Sequence, residues 1–553
     1  MFKYVGEFMK KKNFIDGAII STASLVICKI MGLLYVIPFY RIIGTQGGAL
    51  YSYAYSIYAM FLNLSTIGIP AAISKIICEY ETLGYQFLKN KSYRIASNIL
   101  NYVGIVAFLI MFIFAEPLAR QIIGDVTGGN SVESVATAIR VVSTALLVVP
   151  RLSIIKGYFQ GNKYLRESSI CSIIEQFVRI AIIIAGSFLI VKVLKLSVDI
   201  AVYIATFAAT IGAFSAYIYL KMKRRKVVSD ESEEIVPTEE EKKFSTWDVV
   251  KKIVVYAIPF VIIALLQSAY NIVDTFTVVR TLTSLGYTTA VAETTISVIT
   301  TWASKLNMII LSLSIGMTGS LIPNIVESNT KKEFKDVNHK LNLSFKMFLI
   351  LAIPMAVGMS FLAEPIWHVF YDVNSLCSDI FRFSVLQIII HGLYVTIITI
   401  SQAMNETKIT ISSLIISFIL KAALNIPLMH LFNSIGIPAY YATTVSDAIA
   451  KIVALGVVLV LLNRKFKFTY NTLVPFILKI FLGIGVMFGV LSLTKLVYFS
   501  NASIVSAIIT IIICTLLGAA AYFLVINKFK LLEEILGSNY KDKILRKLKL
   551  KRK

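Results

Sequence analysis

Eight cationic side chains stand inside long apolar stretches of this sequence: Lys29, Lys75, Arg151, Arg179, Lys305, Lys421, Lys451 and Lys479. Against them three acids read as clearly buried: Glu175, Asp274 and Asp447. A charge at the centre of an apolar helix costs at least ~2.5–3.5 kcal/mol unless it faces water, a partner or a substrate. Lys75, Arg151 and Lys479 lie close enough to a span end to snorkel. Glu175–Arg179 and Asp447–Lys451 have i,i+4 spacing and are expected to pair on their own helices. That leaves Lys29, Lys305 and Lys421 near mid-span without a local acid, with Asp274 free to pair with one of them across helices. A net positive interior suits an anionic ligand such as a phosphate or pyrophosphate group.

Other chemistries lack their residues. No Gly is followed by Lys, so there is no P-loop for nucleotide hydrolysis. The four histidines show no HExxH spacing, and the five cysteines are scattered singly, which argues against a zinc site or a disulfide framework. A membrane glycosyltransferase or polymerase would need a carboxylate cluster or a sizeable outer loop. The longest outer loop, 116–135, offers only Glu116, Asp125 and Glu133. The expectation is a non-enzyme with no catalytic residues, no metal and no cofactor.

The elements that must position these charges are membrane spans. Of 553 residues, 57% are hydrophobic and 15% charged, against about 25% charged in soluble domains. Apolar runs of about 20 residues or more place fourteen helices near 14–40, 49–78, 95–115, 136–158, 168–191, 198–220, 251–279, 290–326, 341–363, 380–404, 409–431, 438–462, 473–495 and 503–526. The fold class is all-α, polytopic. The run 290–326 is too long for a straight span and is expected to tilt or break near Gly316, Gly319 and Pro323. The net charge of +23 would suggest nucleic acid in a soluble chain; here it marks cytoplasmic loops. With the N-terminus inside, the outer loops keep only Arg41, Arg120, Arg140, Lys192, Lys195, Arg280, Arg382 and Lys495. This puts both termini in the cytoplasm and Cys377 in an outer loop. The first apolar run continues past signal-peptide length and is expected to be retained. Residues 221–250 carry charge blocks that read as a disordered linker. The basic tail 528–553 suits either the anionic inner leaflet or a solvated topology signal.

The halves on either side of the linker echo each other. AEPLARQII near 115 matches AEPIWHVFY near 363, and Arg140, Gln160 and Arg179 fall on Arg382, Gln402 and Lys421 at one shared offset of 242 positions. Six helices per half is an even number, so the repeats are parallel and a substrate site between them is expected. The organisation is 1–225 as an N-terminal lobe, 226–250 as linker, 251–465 as a C-terminal lobe, 466–527 as two added helices and 528–553 as tail.

The stretch CKIMGLLYVIPFYRIIGTQGGALYSYAYSIYAMFLNLSTIGIPAAISKIICEY, with IIKGYFQGNKY and IIEQFVRI later, resembles the MurJ-type branch of the multidrug/oligosaccharidyl-lipid/polysaccharide exporter superfamily. It is most similar to the Gram-positive lipid II flippases and the stage V sporulation protein B relatives, over essentially the whole chain. The resemblance implies alternating access between two six-helix lobes and a groove on helices 13 and 14 for a polyprenyl tail. It implies transfer of an undecaprenyl-diphosphate-linked sugar-peptide to the outer leaflet, by a monomer whose other partners are membrane lipids and not nucleic acid. Another lipid-linked polysaccharide precursor, and a multidrug/cation antiport, are the alternatives.

Carry-over of residues is partial. Lys29 in CKIMG takes the place of the cation in the family's S-R-x-x-G pattern. Tyr35, Leu50 and Asn63 stand where Gram-negative members carry charges. The resemblance places helices 1, 2, 7 and 8 around the cavity, which makes Lys29 and Lys305 the first candidates for the diphosphate and the repeat-related Arg179 and Lys421 the second. Some relatives bind sodium among helices 7, 11 and 12; here Asp274, Asn425 and Thr443 are the oxygen-bearing candidates. Without a nucleotide motif, cycling is expected to draw on membrane potential, an ion gradient or consumption of product.

Overall fold

The computed structural model describes residues 26–66, 68–124, 128–162, 164–229 and 237–536, together with residues 20 and 24. Every regular element among them is helical. Thirteen helices are long and apolar enough to cross a membrane. The first, Val36–Leu83, joins the end of the first expected span to the whole of the second, and the other twelve fall on the remaining expected spans. The start of that first span lies outside the described residues. The basic tail 537–553 lies outside them as well.

By packing, the chain forms two units, Met1–Thr301 and Trp302–Lys553. In the first unit, residues 26–34 are helical and lead into α1 (Val36–Thr66), which kinks at Gly44. Gly44 has φ 67°, a left-handed conformation that costs glycine nothing. There follow α2 (Gly68–Leu83), α3 (Gln86–Ile113), α4 (Ala115–Ile123), α5 (Val132–Ser143), α6 (Val149–Gly161), α7 (Leu165–Phe188), α8 (Val198–Ser229), α9 (Glu239–Lys242), α10 (Thr246–Ser284) and α11 (Thr289–Ser297). The unit thus includes α10 and α11, which the sequence repeat assigns to the second half, so packing and repeat divide the chain at different places.

The second unit holds α12 (Ala303–Thr330), α13 (Phe334–Phe361), α14 (Ala363–Phe370), α15 (Ser375–Ala403), α16 (Thr407–Ser434), α17 (Tyr441–Phe466), α18 (Leu473–Val497), α19 (Ile504–Lys528) and α20 (Leu531–Leu536). The repeated AEP motifs form the same structure twice. In each, a long span ends and a short helix, α4 or α14, starts at once with its acid, Glu116 or Glu364, in the first turn. An acid there favours the helix dipole.

Two expectations are corrected. The long eighth span does not break at Gly316, Gly319 or Pro323, because α12 runs through all three. Neighbouring helices let Gly and Pro persist inside spans. The irregularity is a π-helical turn at Val298–Trp302. The linker is also not disordered throughout. α8 extends to Ser229, and residues 237–244 are ordered around α9. There Thr238 and Glu241 form a capping box, and the Glu241 carboxylate also accepts from the Leu88 N–H in the first turn of α3 at 3.1 Å. One buried acid thereby satisfies orphan donors of two helix starts.

Candidate functional site

The first unit gathers its charges around α7. The Glu175 carboxylate accepts from the Lys156 ammonium at 2.7 Å, with the two side chains 26% and 21% exposed. This corrects the expected Glu175–Arg179 pair: the i,i+4 spacing allows that contact, but α6 supplies a lysine from across the interface. Arg179 instead donates to the Tyr55 hydroxyl at 3.0 Å and to the Gln176 side chain. Tyr51 stacks on Tyr55 with ring centroids 5.1 Å apart, and Tyr58 meets Tyr55 edge-on at 5.4 Å. Tyr35 and Tyr51 lie within electrostatic reach of the guanidinium.

The helical segment 26–34 packs onto the same face. A Cβ added at Gly32 would lie 3.4 Å from the Gln176 amide nitrogen. Cys28 is within electrostatic reach of Glu175, Lys156 and Arg179, and the next residue, Lys29, is half-buried. The structure thus brings Cys28, one residue from Lys29, beside Arg179. It adds Lys156, counted in sequence as a loop residue because it lies near a span end. Two cations, Lys156 and Arg179, face one carboxylate here, with the Tyr55 hydroxyl beside them. Such a set can hold an anionic group through charge-assisted hydrogen bonds. The close approach of α8 underlies it: a Cβ at Gly212 would sit 2.8 Å from the Glu175 carbonyl and 3.0 Å from the Arg179 Cβ.

Elsewhere in this unit a cavity of about 630 Å³ is lined by Ser74, Lys75, Cys78, Glu79, Thr82 and Gln160, among others. Lys75 lies over the Tyr256 ring at 4.5 Å, and Glu79 pairs with Lys252 at 2.9 Å. Glu293 on α11 is a buried acid that the sequence count missed. It accepts from the Asn130 backbone and side chain at 2.9 and 3.0 Å. Asp274 is half-buried on α10.

In the second unit Lys305 is half-buried in the first turn of α12. Lys421 is 1% exposed and donates to the Thr443 carbonyl at 2.9 Å and the Ser446 hydroxyl at 3.2 Å. The Asp447–Lys451 pair is present at 2.8 Å, and Gln387 donates to the same carboxylate. Repeat-related Arg179 and Lys421 thus differ in setting: the first reaches tyrosines from a half-buried position, and the second is enclosed between α16 and α17.

Comparison with known proteins places this architecture. The family described as polysaccharide biosynthesis protein matches residues 14–329, and the MatE family matches 259–428. The chain is 31% identical to the lipid II flippase MurJ of Bacillus subtilis (strain 168) over 540 residues, 95% of this chain and 97% of that one. It belongs to the MurJ family. Stage V sporulation protein B of the same organism is 20% identical over 66% of this chain and 68% of its own length. A solved MurJ structure, titled as an inward closed conformation, superposes with a TM-score of 0.67 at 18% identity, covering 93% of this chain and 99% of that one. An inward-facing multidrug resistance MATE family transporter superposes at 0.60 with 12% identity, over 81% of this chain and 98% of that one. These structures share the fold with the MurJ-family chain described here.

Proposed function

We infer that this protein is a flippase that moves an undecaprenyl-diphosphate-linked cell-wall precursor, lipid II, from the inner to the outer leaflet. The whole-length likeness to a lipid II flippase carries this function. The cation excess around α7, Lys156 and Arg179 against Glu175, supports its chemistry, because a diphosphate leaving water needs fixed positive charge to replace lost hydration. Lys29 and Arg179 are the first unit's candidates to receive the diphosphate, and Lys305 is a separate candidate in the second unit. The protein sits in the cell membrane with both termini in the cytoplasm, works as a monomer and carries out no bond-making step. Cycling draws on membrane potential, an ion gradient or product consumption, and Asp274 is the remaining carboxylate candidate for an ion contact.

The test is leaflet exchange in proteoliposomes with defined undecaprenyl-diphosphate lipids. Lipid II is expected to cross at a rate that Lys29→Ala and Lys305→Ala each abolish and Lys→Arg partly restores, with all variants folded and inserted. Normal rates in both alanine variants would make these lysines ordinary interhelical partners. Transport of a different polyprenyl-linked saccharide with lipid II left untouched would favour the alternative substrate, which the polysaccharide biosynthesis match also accommodates. A drug-cation exporter is disfavoured by the cation excess around α7.

A further inference from the structure

We propose that the oxygen cage between α16 and α17 is a monovalent-cation site filled from within the chain, the Lys421 ammonium standing where an exchangeable ion would stand. Three neutral oxygens contribute to the cage. The Thr443 carbonyl and the Ser446 hydroxyl oxygen accept from Lys421 at 2.9 and 3.2 Å. The Ser446 hydroxyl passes its own proton to the Asn425 amide oxygen at 2.8 Å. Lys421, Asn425, Thr443 and Ser446 are all buried. Carbonyl, hydroxyl and amide oxygens are the donors that hard cations take. An ammonium is a compact point charge with three donors that satisfies the same oxygens.

The sequence named Asn425 and Thr443 as candidate sodium ligands, and the structure does not fit them to a free ion. Their surroundings already hold an ammonium. The Thr443 hydroxyl is turned away, donating to the Tyr440 carbonyl at 2.8 Å. Nearby charge points the same way. Asp447 binds Lys451 at 2.8 Å and lies within electrostatic reach of Lys421 and His391. An added ion would set a third positive charge against one carboxylate in a buried setting.

A lysine that merely fills space and one that replaces an ion behave differently when the side chain is cut back. Purified full-length protein and its Lys421→Ala variant are melted in sodium, potassium, ammonium and methylammonium chloride against choline chloride at equal ionic strength. The readout does not depend on what the protein transports. The wild type is expected to melt at one temperature in all the salts. Lys421→Ala is expected to melt lower in choline and to recover part of the loss, saturably, in at least one small cation. A ligand that binds only the folded state raises its midpoint in this way. Lys421→Met, which fills the space without charge, is expected to melt lower and to ignore the salt. Saturable stabilisation of the wild type by sodium overturns the proposal, as does an alanine variant that melts alike in every salt. Should Lys421→Ala not accumulate, Ser446→Ala decides: a lower, salt-independent midpoint is expected, and an unchanged midpoint overturns the proposal.

Discussion

Removing the Glu175 carboxylate leaves the Lys156 ammonium facing apolar helix with no counter-charge. Glu175→Gln is therefore expected to cost about 1–3 kcal/mol, the penalty of a polar group that loses its partner on burial. Lys156→Met combined with Glu175→Gln should recover part of that loss, because an isosteric apolar replacement of both partners is often nearly neutral. Thermal melts of the single and double variants measure the difference. Arg179 should behave otherwise, since its partners are the neutral Tyr55 and Gln176. Arg179→Ala should leave the melting temperature within a few degrees of wild type yet cut leaflet exchange of lipid II at least tenfold. A variant that flips lipid normally removes Arg179 from the site. The buried charges themselves were plain in the sequence, because ionisable residues in apolar runs stand out. Their pairing was not: i,i+4 spacing names a possible partner on one helix and says nothing of a lysine on the next. Lys156 was hidden by its place near a span end.

Gly212 shows how little room α7 and α8 leave between them. Small residues at such crossings let backbones approach. Gly212→Ala would press on the backbone and Cβ that carry Glu175 and Arg179, neither of which is the yielding tip of a side chain. The expected result is a loss of about 1–3 kcal/mol from overpacking, with a fall in lipid exchange beyond what the reduced folded fraction explains, measured on refolded and sorted proteoliposomes. The α9 segment offers a second test. Glu241→Ala should raise hydrogen exchange across 237–244 and at 86–89 together, by the roughly fivefold that a lost cap of ~1 kcal/mol allows at both helix starts. Protection lost at only one start would mean the shared carboxylate does not couple them. The charge blocks of the linker read as disorder and gave no weight to the T-x-x-E spacing of Thr238 and Glu241. What ordered the segment is a donor 153 residues away, at Leu88, which no local pattern reveals. The repeated AEP helices were legible because their motif and their place after a span are both local.

At the level of the whole molecule, the charge rule gives an orientation that cysteine chemistry can check. The sequence marked Cys377 as the outer reporter, but that residue is buried in the first turn of α15, where the Asn374 side chain caps its N–H. An impermeant thiol reagent on intact cells should leave Cys377 untouched. Val373→Cys, at a position 71% exposed, should be labelled from outside, whereas Lys243→Cys on the linker should require permeabilised cells. The reverse pattern would invert the topology. The fold class was readable because membrane crossing imposes long apolar runs; the packing boundary at Thr301 was not, since nothing in composition changes there. That boundary bears on how the chain could be split. A break introduced between Ser229 and Pro237 would not part the two units, because the second piece would begin with the clasp that holds Leu88 and with α10 and α11, all belonging to the first unit. Fragments 1–229 and 237–553, made as separate polypeptides, should therefore find each other in the membrane and copurify through a tag on either one, the way complementing halves of an enzyme rebuild a single body from two genes.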